Sequence, residues 1–179
     1  LADEALERAG RSSATAAAGA ATADSAAAAT IGEDGRLVGA SAGLLIVGDE
    51  ILLGKTADAN SPDASTQLLR AGFRLDRIVV VPDDEAAIVE ELRRLSASCD
   101  LVITSGGLGP THDDVTMKAV AAALGVEHAP SEEMLAVIRE CMSPDRLAKM
   151  GADVLDKMSS LPRVSRLLRV PGTTGQWPI

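Results

Sequence analysis

The chain has 179 residues, 46% of them hydrophobic and 24% charged, enough for one soluble domain with a real core and a tail. A formal net charge of −9 argues against nucleic acid as the main partner, and Phe73 and Trp177 alone give no aromatic surface on which bases could stack. No apolar run has the length a membrane span requires.

Cys99 and Cys141 are isolated and form no C-x-x-C pair. Free thiols in a reducing compartment are therefore expected, with no zinc site. Both read as small core or subsurface residues. The first residue is Leu1, and the chain is expected to be a fragment or a processed product. Ala2 to Ala9 reads as the end of a helix closed by Gly10. An Ala/Ser/Thr/Gly stretch from Arg11 to about Thr30 and a polar turn from Gly32 to Gly35 read as a tail or interdomain linker over 1–41. A transit peptide is the rival reading, opposed by Asp3, Glu4, Glu7 and Asp24. A cytoplasmic location is expected, with organellar targeting left open.

From residue 42 onward strand and helix patterns alternate. Gly43 to Val47 is an apolar strand. Asp58 to Ala71 is predicted as a helix, with Ser61 as its cap, Pro62 in the first turn and Gly72 as its end. Arg77 to Val81 is the second strand. Asp84 to Ser96 is the second helix, with Ile88, Leu92 and Leu95 on one face. Leu101 to Thr104 is the third strand, and a helix runs from Val115 to Leu124 before Gly125. Ser131 to Cys141 and Pro144 to Met158 are predicted as a helical pair forming a lid or small subdomain. Leu167 to Val170 is read as the start of a further strand. This order predicts an α/β fold of three αβα layers with a mostly parallel central sheet.

Ligands of such sheets bind beyond the carboxyl ends of the strands. Three polar clusters fall there: Gly48-Asp49-Glu50, Pro82-Asp83-Asp84, and Gly106-Gly107-Leu108-Gly109-Pro110-Thr111-His112-Asp113-Asp114. The last joins a strand to a helix start, where unpartnered N–H groups and glycine backbone suit an anion. Aspartates beside such a loop would repel a phosphate unless a cation lies between them or they act on the ligand. Asp113 and Asp114 also occupy positions suited to a helix N-cap, as does Asp83 before the second helix. Asp49 and Glu50 are expected to face the cleft. His112 and Lys55 are possible phosphate contacts, whereas Lys118 and His128 are expected on the surface. Gly48 to Thr56 imitates a phosphate-binding P-loop but has five residues between its glycines where that loop has four. There is no G-x-G-x-x-G fingerprint.

Gly48-Asp49-Glu50-Ile51-Leu52 with Asp58-x-Asn60, then Val81-Pro82-Asp83, then Gly106 to Thr116 resemble the molybdopterin-binding (MoaB/Mog-like) domain family. Within it the similarity is to CinA-like proteins and to the N-terminal domain of eukaryotic FAD synthase. Pro110 to Thr116 and the ending Gly172 to Gln176 favour the FAD synthase branch. The resemblance spans about Gly43 to Ile179. It implies catalytic roles for Asp83 and Asp114, and ligand binding by Gly106, Gly107, Leu108, Gly109, Thr111, Asn60 and Asp58. It also implies a divalent metal such as Mg, with K as a further candidate, held by Asp49, Glu50, Asp113 and Asp114.

The ligand implied is a small nucleotide or pterin: FAD, ADP-ribose or molybdopterin. Three functions follow from the resemblance: metal-dependent hydrolysis of a nucleotide pyrophosphate, molybdopterin adenylylation, or a non-catalytic regulatory or oligomerisation module of an FAD synthase. A dimer or trimer is implied, as is a covalently linked flavin-adenylating domain. The family continues with a further strand and a Pro-Gly loop, so the domain over 42–179 is expected to be C-terminally truncated.

Overall fold

A computed structural model describes residues 30–31 and 37–169 of the chain. The expected helix at Ala2 to Ala9, most of the Ala-rich stretch and the Gly172 to Gln176 ending lie outside the described residues. Two short strands, β1 (Thr30–Ile31) and β2 (Leu37–Val38), pair antiparallel around the expected polar turn. They are regular structure within a segment read as a tail.

The central sheet consists of β3 (Ser41–Val47), β4 (Arg74–Val81) and β5 (Leu101–Ser105), all parallel, in the order β4-β3-β5. Every residue of β3 is buried, which is why it reads as a continuous apolar run without alternation. α1 (Asp49–Leu52) follows β3, α2 (Asn60–Arg70) leads into β4, and α3 (Glu85–Ser98) leads into β5. From β3 the chain moves to one neighbouring strand and then back past β3 to the other. Right-handed crossovers therefore place α2 and α3 on opposite faces. Leu44 and Ala42 pack with Leu68, Phe73 and Ile103 on the α2 face. Leu45 and Val47 pack with Ile88, Leu92 and Leu95 of α3 and Ala119 on the other. The three αβα layers predicted from the element order are present.

Several local readings are corrected. Ser61 does not cap α2; the Asp58 carboxylate accepts from the amides of Asn60 and Ser61, at 3.0 and 2.9 Å. β4 starts three residues earlier than the apolar pattern indicates, because Leu75 pairs with Ala42 before the register shifts. That shift leaves Asp76 unpaired between Leu75 and Arg77. It allows two odd-numbered residues, Leu75 and Val79, to reach opposite faces, contrary to strict alternation. Asp84, rather than Asp83, caps α3, accepting from the Ala87 amide at 2.9 Å.

The chain after Gly125 forms a second, smaller unit. α4 (Thr116–Leu124) ends on Gly125 in the left-handed region. β6 (His128–Pro130) and β7 (Ser160–Pro162) then pair antiparallel, closing over α5 (Glu132–Cys141), α6 (Pro144–Lys149) and α7 (Ala152–Ser159). The single helix expected from Pro144 to Met158 is two, interrupted at Met150 and Gly151. No strand forms over 165–169, and Val170 lies outside the described residues. β6 and β7 both pack against α4, which fixes this unit beside the carboxyl edge of the sheet.

Gly106 has φ +101°, and a Cβ there would stand 1.9 Å from the Val47 carbonyl oxygen. At Gly125, φ is +67° with nothing within 4 Å. Gly106→Ala should therefore cost roughly 3 kcal/mol or more, from left-handed strain plus a backbone clash, while Gly125→Ala costs only the strain, about 1 kcal/mol. Urea denaturation of both variants checks the difference; equal losses would mean that the loop moves freely away from β3.

Candidate functional site

All three polar clusters lie at the carboxyl end of the sheet. There the strand order reverses about β3, the kind of edge at which ligands of open α/β sheets bind. The Gly48 amide donates to the Val81 carbonyl at 3.1 Å, tying the exit of β3 to that of β4. Asp83 then turns its carboxylate onto the Asp49 amide at 2.9 Å, so an acid at the end of β4 satisfies the first orphan donor of α1. Asp49 and Glu50 are exposed. Asn60 reaches across from α2 to donate to the Ser105 hydroxyl at 2.9 Å, at the last residue of β5.

The glycine loop begins directly after Ser105. Gly106 passes against the Val47 carbonyl, and Gly107 lies where a Cβ would meet the Thr116 hydroxyl. Thr116 is fully buried, and its hydroxyl donates to the Gly106 carbonyl at 2.9 Å. Its amide donates to the Gly107 carbonyl. The start of α4 is thus fastened to the loop that precedes it.

Asp114 does not cap α4, whose N-cap position is Val115. Its carboxylate instead accepts from both the amide and the hydroxyl of Thr111, at 2.8 and 2.6 Å, closing the loop on itself. A Cβ on Gly109 would stand 2.7 Å from the same carboxylate. Burial pushes the Asp114 carboxyl up, but the Thr111 hydroxyl, the Gly109 and Thr111 amides and nearby Lys157 outweigh it, holding the group below its ordinary value. The Asp58 carboxyl is also lowered, first by the Ser61 hydroxyl and then by the Ser61 amide, against burial. Asp113 points outward, 3.1 Å from the His112 ring, and both side chains are exposed.

A cavity of about 380 Å³ opens beside this loop, within the range usual for small-molecule sites. Gly107, Leu108, Gly109 and Asp114 form one wall, with Val115 and Met117 beside them; His128, Lys157, Met158 and Ser160 come from the second unit. The Lys157 ammonium donates to the Thr111 carbonyl, joining α7 to the loop. The half-buried His128 ring lies 3.2 Å from the Ser160 carbonyl across the hairpin. His128 was expected on the surface and Lys157 was not singled out at all. Lys118 lines the cavity as well, but it is paired with Glu85 at 2.6 Å. Asn60, Asp58, Asp49, Glu50 and Asp83 lie at the same end of the sheet yet outside this cavity.

The acids expected to hold a metal are spread along this edge. Asp83 follows β4 and Asp114 follows β5, with β3 between them, a separation of two strand spacings, about 10 Å. Each carboxylate is engaged by local donors. Among the described residues no three His, Cys, Asp or Glu side chains come together, so a divalent ion here would draw most of its oxygens from water and ligand phosphate, as magnesium usually does.

A three-layer α/β protein with a glycine loop at the switch point of a parallel sheet is the class defined by this fold and site. Residues 43–172 match the family model described as "Probable molybdopterin binding domain". The chain belongs to that family. CinA of Thermoplasma acidophilum, a protein described as of unknown function, has a similar structure, with 33% identity and a TM-score of 0.65 over 77% of this chain and 78% of that one.

A CinA-like protein of Citrifermentans bemidjiense is 46% identical over 51% of this chain and 22% of its own length. A protein of Pyrococcus furiosus is 41% identical over 67% of this chain and 50% of its own. The chain thus spans half or less of the length of these two relatives. Among the described residues no helix is long and apolar enough to cross a membrane.

Because the folded state holds Asp114 below its unfolded value of about 3.9, its contribution to stability is present above that pH and lost as pH falls through the folded pKa. Thr111→Val removes the hydroxyl donor, so the Asp114 carboxyl should titrate at higher pH. The variant should also lose less stability than wild type as pH falls below about 4. NMR titration of the side-chain carboxyl carbon reads the first effect and acid unfolding reads the second; an unmoved midpoint would show that the hydroxyl does not control Asp114.

Proposed function

We propose that this domain binds a nucleotide or pterin phosphoanhydride at the glycine loop, and that it cleaves the pyrophosphate bond of FAD- or ADP-ribose-like molecules as CinA-like and FAD synthase-type domains are expected to do. The observation that carries this reading is the cavity itself. Glycine-loop backbone lines one side of it, and Lys157 stands opposite. Glycine backbone lets a ligand approach closely, with no Cβ in the way. Leu108, Val115, Met117 and Met158 provide aliphatic surface for a flat ring in a protein almost without aromatics. The volume of about 380 Å³ suits a diphosphate with one adjoining group better than a whole dinucleotide.

In the hydrolytic reaction a water oxygen bonds to one phosphorus, the bridging P–O bond breaks, and FAD becomes FMN and AMP. Asp114 is a weak proton acceptor, because an effective general base needs a pKa near the working pH and this carboxyl lies lower. Its role is to hold the loop and orient the attacking water by accepting a hydrogen bond. A divalent cation would enter with the diphosphate as its counter-ion, as part of the substrate. Loss of the Asp114 charge should remove turnover. With FAD or ADP-ribose and magnesium, Asp114→Asn is expected to lower the rate at least about 100-fold while the far-UV circular dichroism stays unchanged. Unaltered AMP release by that variant would reject the assignment.

The family match over residues 43–172 favours a second reading, transfer of an adenylyl group from ATP to the phosphate of molybdopterin. Incubation with molybdopterin, ATP and magnesium separates the two: adenylylated pterin supports the second reading and AMP from FAD supports the first. Tight binding with neither product would identify a regulatory module.

A further inference from the structure

We propose that Lys157, contributed by the second unit, is the cation that neutralises the ligand's phosphate in this site, so that binding itself needs no resident metal. This rests on the phosphoanhydride reading above and names the group that makes such binding favourable in a chain of net charge −9. The cavity has four side chains able to carry positive charge, and three are already engaged. Lys118 is paired with Glu85 at 2.6 Å, His112 with Asp113 at 3.1 Å, and the His128 ring with the Ser160 carbonyl.

Lys157 differs. Among the described residues its ammonium has one acceptor, the Thr111 carbonyl, and no carboxylate at ion-pair distance. An ammonium has three donors, so two remain for a ligand in the cavity that Lys157 lines. Its charge is felt there, since it helps to lower Asp114. The acids, by contrast, do not gather in threes among the described residues. The lysine supplies positive charge across the cavity from the glycine loop.

The competing role is a neutral latch that merely fastens α7 to the loop through the Thr111 carbonyl. Glutamine separates the two, because its amide keeps an N–H donor and loses the charge, while arginine keeps both. Calorimetric titration with FAD in EDTA is the measurement, using wild type, Lys157→Gln, Lys157→Arg and, as a loss of one positive charge outside the cavity lining, the exposed Lys149→Met. Expected are measurable FAD binding by wild type without metal and affinity weakened on the order of 10- to 100-fold in Lys157→Gln. Lys157→Arg should largely retain affinity and Lys149→Met should leave it unchanged.

Wild-type affinity in Lys157→Gln, or equal losses in Lys157→Gln and Lys149→Met, would overturn the role. So would wild-type FAD binding that disappears in EDTA, which would make a metal the neutralising cation. If wild type binds neither FAD nor inorganic pyrophosphate, with or without magnesium, the phosphoanhydride reading and the lysine's role both fall. FAD binding in EDTA that follows the expected pattern, without AMP release in magnesium, upholds Lys157 and rejects the hydrolysis alone.

Discussion

The close passage of Gly106 over the Val47 carbonyl is the contact on which the rest of the site depends. The chain leaving β5 must cross the end of the buried central strand, and it does so with no room for a side chain. Once the crossing is made, Thr116 bonds back to the carbonyls of Gly106 and Gly107. α4 can then start in only one place relative to β3. The loop from Gly107 to Asp114 must bulge outward from that anchor, and Asp114 folds it down onto Thr111. Backbone proximity, a buried hydroxyl and a carboxylate thus act in series to hold the loop at the lip of a cavity.

The same local bonding explains why the acids of this rim do not cluster. A carboxylate near a strand end or a helix start finds backbone N–H groups closer than it finds another carboxylate, and those bonds satisfy it. Asp58 settles on the start of α2, Asp83 on α1, Asp84 on α3 and Asp114 on Thr111. Each solution is favourable by itself, and together they spread the charge along the edge of the sheet. Positive charge arrives from a different part of the chain, through α7.

The second unit is therefore more than an appendage. β6 and β7 clasp the two ends of the segment between residues 128 and 162. With both strands packed on α4, the unit shares the helix that the glycine loop starts. Helix α7 then ends beside the loop, with Lys157 on the Thr111 carbonyl and Met158 in the cavity wall. Membership of the molybdopterin-binding family accounts for the sheet and its loop. The covering by this unit gives the cavity in this chain its other wall.

The sequence by itself determined the elements whose information is local. The apolar run of β3, the face formed by Ile88, Leu92 and Leu95, the stop at Gly125 and the cluster of glycines after β5 each follow from neighbouring residues, and their order implies the parallel sheet and its functional edge. Tertiary structure alone decided three things that depend on partners far along the chain. The Asp76 bulge exists because β3 sets the register of β4. The hairpin exists because His128 meets Pro162, a pairing that three-residue strands with no periodicity cannot announce. The bonds of Asp83 and Asp114, and the arrival of Lys157 46 residues after Thr111, depend on which donors the fold brings nearest. Residue type fixes what a side chain can bond, but only the closed chain fixes which partner it reaches.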